Sequence, residues 1–96
     1  MNATNQNPFL KKLTSIIEAN IASESFGVSE LAGELNMSRS NLHRKVRAAA
    51  KVSVSQFIRN VRLEKAMEML KAKEGNVSEV AYKVGFNSVT YFSKCF

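Results

Sequence analysis

The chain has 96 residues, enough for one domain or for two very small subdomains that lean on each other, because a lone unit of about 60 residues or fewer buries too little surface to be comfortably stable. Lys and Arg number 14 against 8 acids, all of them Glu, and the formal charge of +6 favours a polyanionic partner, either nucleic acid or an anionic membrane surface. With no Asp, one His and one Cys, the inventory excludes a zinc site, a disulfide within the chain and a Ser-His-Asp or Cys-His-Asp triad, so no enzyme and no cofactor is expected.

No run of 18 apolar residues and no signal-peptide core is present, which predicts a soluble, cytoplasmic protein. Residues 1–7, "MNATNQN", are polar throughout and read as a disordered leader. In "PFLKKLTSIIEANI" the apolar residues Phe9, Leu10, Leu13, Ile16, Ile17 and Ile21 recur at helical spacing, and Pro8 suits a first turn; this predicts a helix over 8–22. Gly27 serves as the next N-cap, with Glu30 placed to reach back to the free amide, and Leu31, Ala32 and Leu35 face inward up to a left-handed stop at Asn36. Ser38 then caps a third helix, 39–50, after so short a turn that the two helices must cross steeply, as in a helix-turn-helix.

Ser53 and Gln56 start a longer helix over 54–72, roughly 28 Å at about 1.5 Å per residue. Its inner stripe is Phe57, Ile58, Val61, Ala66 and Leu70, while Arg59, Arg62, Glu64, Lys65, Glu68 and Lys71 are assigned to solvated ion pairs. Asn76 with Glu79 caps a fifth helix, 77–84, that Gly85 ends, and Ser88 caps a sixth that runs to Phe96. These elements group as a first helix-turn-helix subdomain over 8–53, a connecting helix over 54–72 and a second subdomain over 73–96.

An internal repeat supports the grouping: "VSELA" at 28–32 returns as "VSEVA" at 77–81. Leu35, Asn36 and Met37 then match Val84, Gly85 and Phe86; with Asn87 as one insertion, Ser38, Leu42 and Val46 match Ser88, Phe92 and Phe96. With Leu42 set inward, Ser40, Arg44, Arg47 and Lys51 point outward, flanked by Asn41 and His43; with Phe92 inward, Thr90 and Lys94 point outward, flanked by Tyr91 and Ser93. Small polar residues in a first turn with cations behind them fit a major groove. Each basic face alone reads equally well as solvated surface, Tyr91 equally well as a core residue, and Cys95 as a small hydrophobe. The recurrence with cap, turn and core intact favours the groove reading.

On "NVSEVAYKVGFNSVTYFSKCF", "VSELAGELNMSRSNLHRKV" and "SVSQFIRNVRLEKAMEML", the chain resembles the C-terminal DNA-binding domain of the AraC/XylS transcription regulators over residues 9–96. Its opening also resembles the output domain of hybrid two-component sensor-regulators. The resemblance implies an all-α, homeodomain-like fold with two recognition helices in successive major grooves of double-stranded DNA. By position in the motif it places base readers at Ser40, His43, Arg44, Val89, Thr90, Ser93 and Lys94, and backbone contacts at Arg39, Asn41, Arg47 and Tyr91. The family pattern continues past Phe96 into basic residues, a turn and a final helix that this sequence lacks, so a truncated domain, monomeric on its own, is expected. Val54 stands where the family usually has Pro, a substitution the first helical position tolerates.

Sequence-specific DNA binding that regulates transcription is therefore the leading expectation. The alternative is a docking module for RNA polymerase or a signalling partner with only nonspecific DNA affinity. It calls for an apolar outer face, where these helices carry cations and hydroxyls. A membrane-surface role would need bulky apolar residues that the core already uses.

Overall fold

The computed structural model describes residues 7–95. Six helices follow in chain order: α1 (Pro8–Ala19), α2 (Val28–Glu34), α3 (Arg39–Ala50), α4 (Val54–Lys71), α5 (Val77–Lys83) and α6 (Val89–Cys95), with no strand among the described residues. The expected leader lies outside the described residues except at Asn7, which is not part of a tail: its Oδ1 accepts from the Leu10 amide at 3.1 Å and caps α1. The partner proposed for Val46 in the repeat, Phe96, also lies outside them.

Helix α1 stops three residues short of the expected end. Asn20 takes the C-cap, donating from Nδ2 to the Ile16 carbonyl at 2.9 Å, and Ile21 passes into the loop before α2 while still packing against the core. Elsewhere the caps fall where the residue types predict. Ser38 Oγ accepts from the Asn41 amide at 3.1 Å, Ser53 Oγ from Gln56 at 3.1 Å and Asn76 Oδ1 from Glu79 at 2.9 Å. Each such cap contributes on the order of 1 kcal/mol.

The two helix-turn-helix units repeat in detail. The Gly27 amide donates to Glu30 Oε1 and the Asn76 amide to Glu79 Oε1, each at 2.9 Å. At the turns, Asn36 has φ 54° and Gly85 φ 90°, and the amides of Met37 and Phe86 reach back to the carbonyls of Ala32 and Ala81 at 3.0 and 2.9 Å. These are Schellman-type closures, which satisfy the last helical carbonyls and throw the next helix across the first. Leu31 and Ala32 are buried in one unit, Val80 and Ala81 in the other.

Two apolar clusters result. The first joins Leu10, Leu13 and Ile17 of α1 to Leu31, Leu42 and Val46 of the first unit and to Val54, Phe57, Ile58 and Val61 of α4. The second joins Ala66 of α4 to Val80, Val84, Phe86 and Phe92. The Phe86 and Phe92 rings meet edge to face, 5.0 Å between centroids. Each fully buried Leu, Val or Phe stabilises by about 1.5 to 3 kcal/mol relative to exposure. Helix α4 is shared: its N-terminal half packs on α1 and α3, its C-terminal half on α5, and Ile21 touches both clusters. Leu70, assigned to the inner stripe, is only partly buried, whereas Val54 is fully buried.

Arg62 departs most from the sequence reading. Assigned to a solvated ion pair, it is 6% exposed and donates to four backbone carbonyls. Among the described residues, Lys65 and Glu68 pair on the surface of α4 at 3.9 Å, an exposed contact worth little.

Candidate nucleic-acid interface

Helix α3 leaves Leu42 and Val46 fully buried, and 100° per residue then turns Ser40, His43, Arg44 and Arg47 to solvent. All four are exposed, as is Arg39, while Asn41 is half-buried. Lys45, the remaining cation of α3, sits over the Phe9 ring at 5.5 Å, which assigns it to the α1 side of the helix. Arg39 donates from Nη1 to Ser29 Oγ at 3.3 Å, tying the start of α3 to α2. Arg44 donates from Nη2 to Asn41 Oδ1 at 2.7 Å. Asn41, expected to touch the DNA backbone, thus also holds the guanidinium expected to read a base. Arg47 lies in the last turn of α3, where the unpaired carbonyls favour a cation.

In α6, Phe92 is buried and Thr90, Ser93 and Lys94 are exposed. Val89, grouped with the base readers, is half-buried and packs against the second cluster, so only part of its side chain faces outward. Tyr91 does two things: its ring lies 6.0 Å from that of Phe86, and its hydroxyl, 45% exposed overall with the residue, accepts from Arg59 Nη1. Arg59 also donates to Gln56 Oε1, and Gln56 donates to Asn60 Oδ1 at 2.7 Å. Neither hydrogen-bond partner of Arg59 is charged, so its positive charge stays available beside Tyr91. Sequence reasoning missed this role, since Arg59 at its spacing on α4 resembles any solvated cation and its partner Tyr91 lies 32 positions away.

No acid stands in the first turn of α3 or of α6, and neither helix contains one. The field over both outer faces is therefore positive with no internal neutralisation. Among the described residues no helix is long and apolar enough to cross a membrane, and no three acidic, His or Cys side chains converge as a metal site.

Two capped helix-turn-helix units on a shared helix, each turning an acid-free cationic face outward, define the class of helix-turn-helix DNA-binding domains that regulate transcription. A family model described as a helix-turn-helix domain matches residues 31–96, and the chain belongs to that family, the AraC/XylS type, whose domain is non-catalytic. Histidine kinase P4 of Formosa agariphila is 41% identical over 87 residues, covering 91% of this chain and 6% of that protein. The HTH-type transcriptional regulator GbdR of Pseudomonas aeruginosa is 36% identical over 96 residues, covering 100% of this chain and 26% of that protein. The chain thus spans about a quarter or less of these two curated relatives. Among solved structures, the C-terminal domain of the response regulator AraT from Geobacillus stearothermophilus is similar with a TM-score of 0.79 at 27% identity, over 94% of this chain and 74% of that one. The C-terminal domain of the two-component response regulator yesN from Fusobacterium nucleatum has a TM-score of 0.77 at 26% identity, over 92% and 91%.

Proposed function

We propose that the chain binds specific sequences in double-stranded DNA with α3 and α6 in successive major grooves, as the output domain of a two-component regulator. The observation that carries this reading is the repetition of an acid-free recognition face on two units that share cap, turn and core. Ser40, His43 and Arg44 read bases in the first unit, Val89, Thr90, Ser93 and Lys94 in the second; Arg39, Asn41, Arg47 and Tyr91 hold phosphates. Short residues at the front of each helix allow close approach, and Arg44 presents a fork that suits the two acceptors on a guanine edge. Helix α4, 18 residues and so about 27 Å long, holds the two units apart on the scale of one helical turn of DNA, about 34 Å. The two-component assignment is supported by the similarity to AraT and yesN, both response regulators, and to histidine kinase P4.

Selection of binding sites from random duplex DNA at two salt concentrations tests the reading. Two short base blocks about one helical turn apart are expected. Enrichment of nothing, with salt-sensitive binding to every duplex, would overturn sequence specificity. That outcome would favour a docking module for RNA polymerase or a signalling partner, a reading with one observation behind it: Val77 and Tyr82 of α5 stand 46% and 55% exposed.

A further inference from the structure

Arg62 lies halfway along the helix that both units share, and its guanidinium ends in a ring of carbonyls drawn from both of them. Nη1 donates to Ile21 O at 2.6 Å and to Val84 O at 2.7 Å; Nη2 donates to Ser23 O and Phe26 O, each at 3.0 Å. Ile21, Ser23 and Phe26 belong to the loop that leads into α2, and Phe26 immediately precedes its N-cap. Val84 is the C-cap of α5 and immediately precedes the turn to α6. One planar, rigid donor group thus ties the approach to the first helix-turn-helix to the turn of the second.

The surroundings fit this role. Gly85 follows Val84 with φ 90°, and a Cβ there would stand 1.8 Å from Arg62 Nη1 and 2.5 Å from Ile21 O. The second turn therefore lies against the guanidinium with no room for a side chain. Beside it an open cleft of about 270 Å³ separates the units, bordered by Glu24, Gly27, Ile58, Gly85 and Tyr91. Apolar packing does not close that gap. A shorter, rotatable ammonium would not hold four acceptors in one plane, whereas the guanidinium fork does so at low entropic cost.

We propose that Arg62 is a positioning residue for DNA recognition: by locking the α1–α2 loop to the second turn, it sets which separation between two base blocks the chain accepts. This rests on the reading that both units read bases. One base pair is about 3.4 Å along the duplex, so a small play between units admits a neighbouring spacing.

The test uses the full chain, Arg62→Met and Arg62→Lys, with two readouts. The first is binding to duplexes carrying the two selected blocks with the spacer changed by one or two base pairs, beside duplexes carrying either block alone. The second is the distance distribution between spin labels at exposed positions of α3 and α5, Ala48→Cys and Ser78→Cys in a Cys95→Ser background, without DNA. The wild type is expected to prefer its best spacer by about tenfold or more, an order set by the cost of one misplaced contact, and to give one narrow distance. Arg62→Met is expected to bind single blocks as the wild type does, to cut the spacer preference to about threefold or less, and to broaden the distance; Arg62→Lys falls between, and serves alone if the Met variant does not fold. A folded variant with an unchanged narrow distance, or with an undiminished spacer preference, overturns the proposal. A wild type that shows the narrow distance but no block or spacer preference overturns the base-reading premise and the proposal with it, and the label distances in the variants then tell a failed joint from a failed reading.

Discussion

Asn36 makes the turn of the first helix-turn-helix at φ 54° and Gly85 makes that of the second at φ 90°, and only at the second is the space for a side chain taken by another residue, Arg62. The units share a plan but not a foundation. Twelve buried apolar residues among those described support the first, with α1 laid across it; six support the second. The first unit holds its own shape through apolar packing. The second takes its shape from α4 and the Phe86–Phe92 contact, and its orientation from the tie through Arg62. Duplicating a motif along a chain repeats its local signals, yet the energy that orients each copy comes from neighbours that are not duplicated.

Removing the central aromatic of the weaker core breaks the comparison most sharply. Phe92→Ala, at a residue 1% exposed, is expected to cost about 3 to 5 kcal/mol, confined to the second unit. Amide hydrogen exchange should accelerate in α5 and α6 while α1 to α3 keep their protection. Leu42→Ala in the first unit, about 2 to 5 kcal/mol, should instead loosen α1, α3 and the first half of α4 together.

Gly85→Ala attacks the joint rather than a core. It combines a left-handed φ, a strain of about 1 to 3 kcal/mol, with a Cβ that the guanidinium must vacate. Thermal unfolding is expected to fall well below that of Asn36→Ala, which keeps a left-handed φ at an exposed position that already carries a Cβ.

DNA binding sharpens the comparison at smaller energies. Arg44→Ala should lose about 1 to 3 kcal/mol at the selected site and relax one base position, whereas Arg47→Ala should weaken all duplexes alike and reduce the salt slope by about one. Asn41→Ala releases the Arg44 guanidinium, so its loss on selected DNA should exceed its loss on random DNA in a salt-matched titration. Equal losses for Arg44→Ala on both would remove it from the base readers.

The smallest effect concerns pH. The Glu30 carboxylate accepts from the Gly27 amide, which holds its pKa below the ordinary value of 4.5. A carboxylate depressed on folding stabilises fully above its unfolded pKa and loses that contribution as pH falls through the folded one. The stability advantage of the wild type over Glu30→Gln is therefore expected to be constant above about pH 4.5 and to vanish in more acid solution, as melts across that range would record.

The features legible in the sequence are those encoded within a few residues: caps at Ser38, Ser53 and Asn76, left-handed stops at Asn36 and Gly85, and the alternation that buries Leu42 and Phe92. The outward placement of Ser40, Arg44, Thr90 and Lys94 follows from the same periodicity. What was not legible acts at a distance. Arg62, on a helix rich in charge, reads as a solvated cation although no Glu stands three or four positions from it, and three of its acceptors are carbonyls 36 to 41 positions away, which no side-chain pattern announces. Helix α1 ends earlier than its apolar spacing predicts for a related reason: Ile21 is apolar for its contacts with both clusters and not for a place in the helix. The repeat carries a hint: Asn in one turn and Gly in the other marks the copy against which something must press.

The measurement that bears most directly on the account is an amide chemical-shift titration of the labelled chain with its selected duplex. Simultaneous, saturable shifts at Ser40, His43 and Arg44 of α3 and at Thr90, Ser93 and Lys94 of α6 are the predicted result. Shifts confined to α3, or centred on Val77 and Tyr82 of α5, would contradict it.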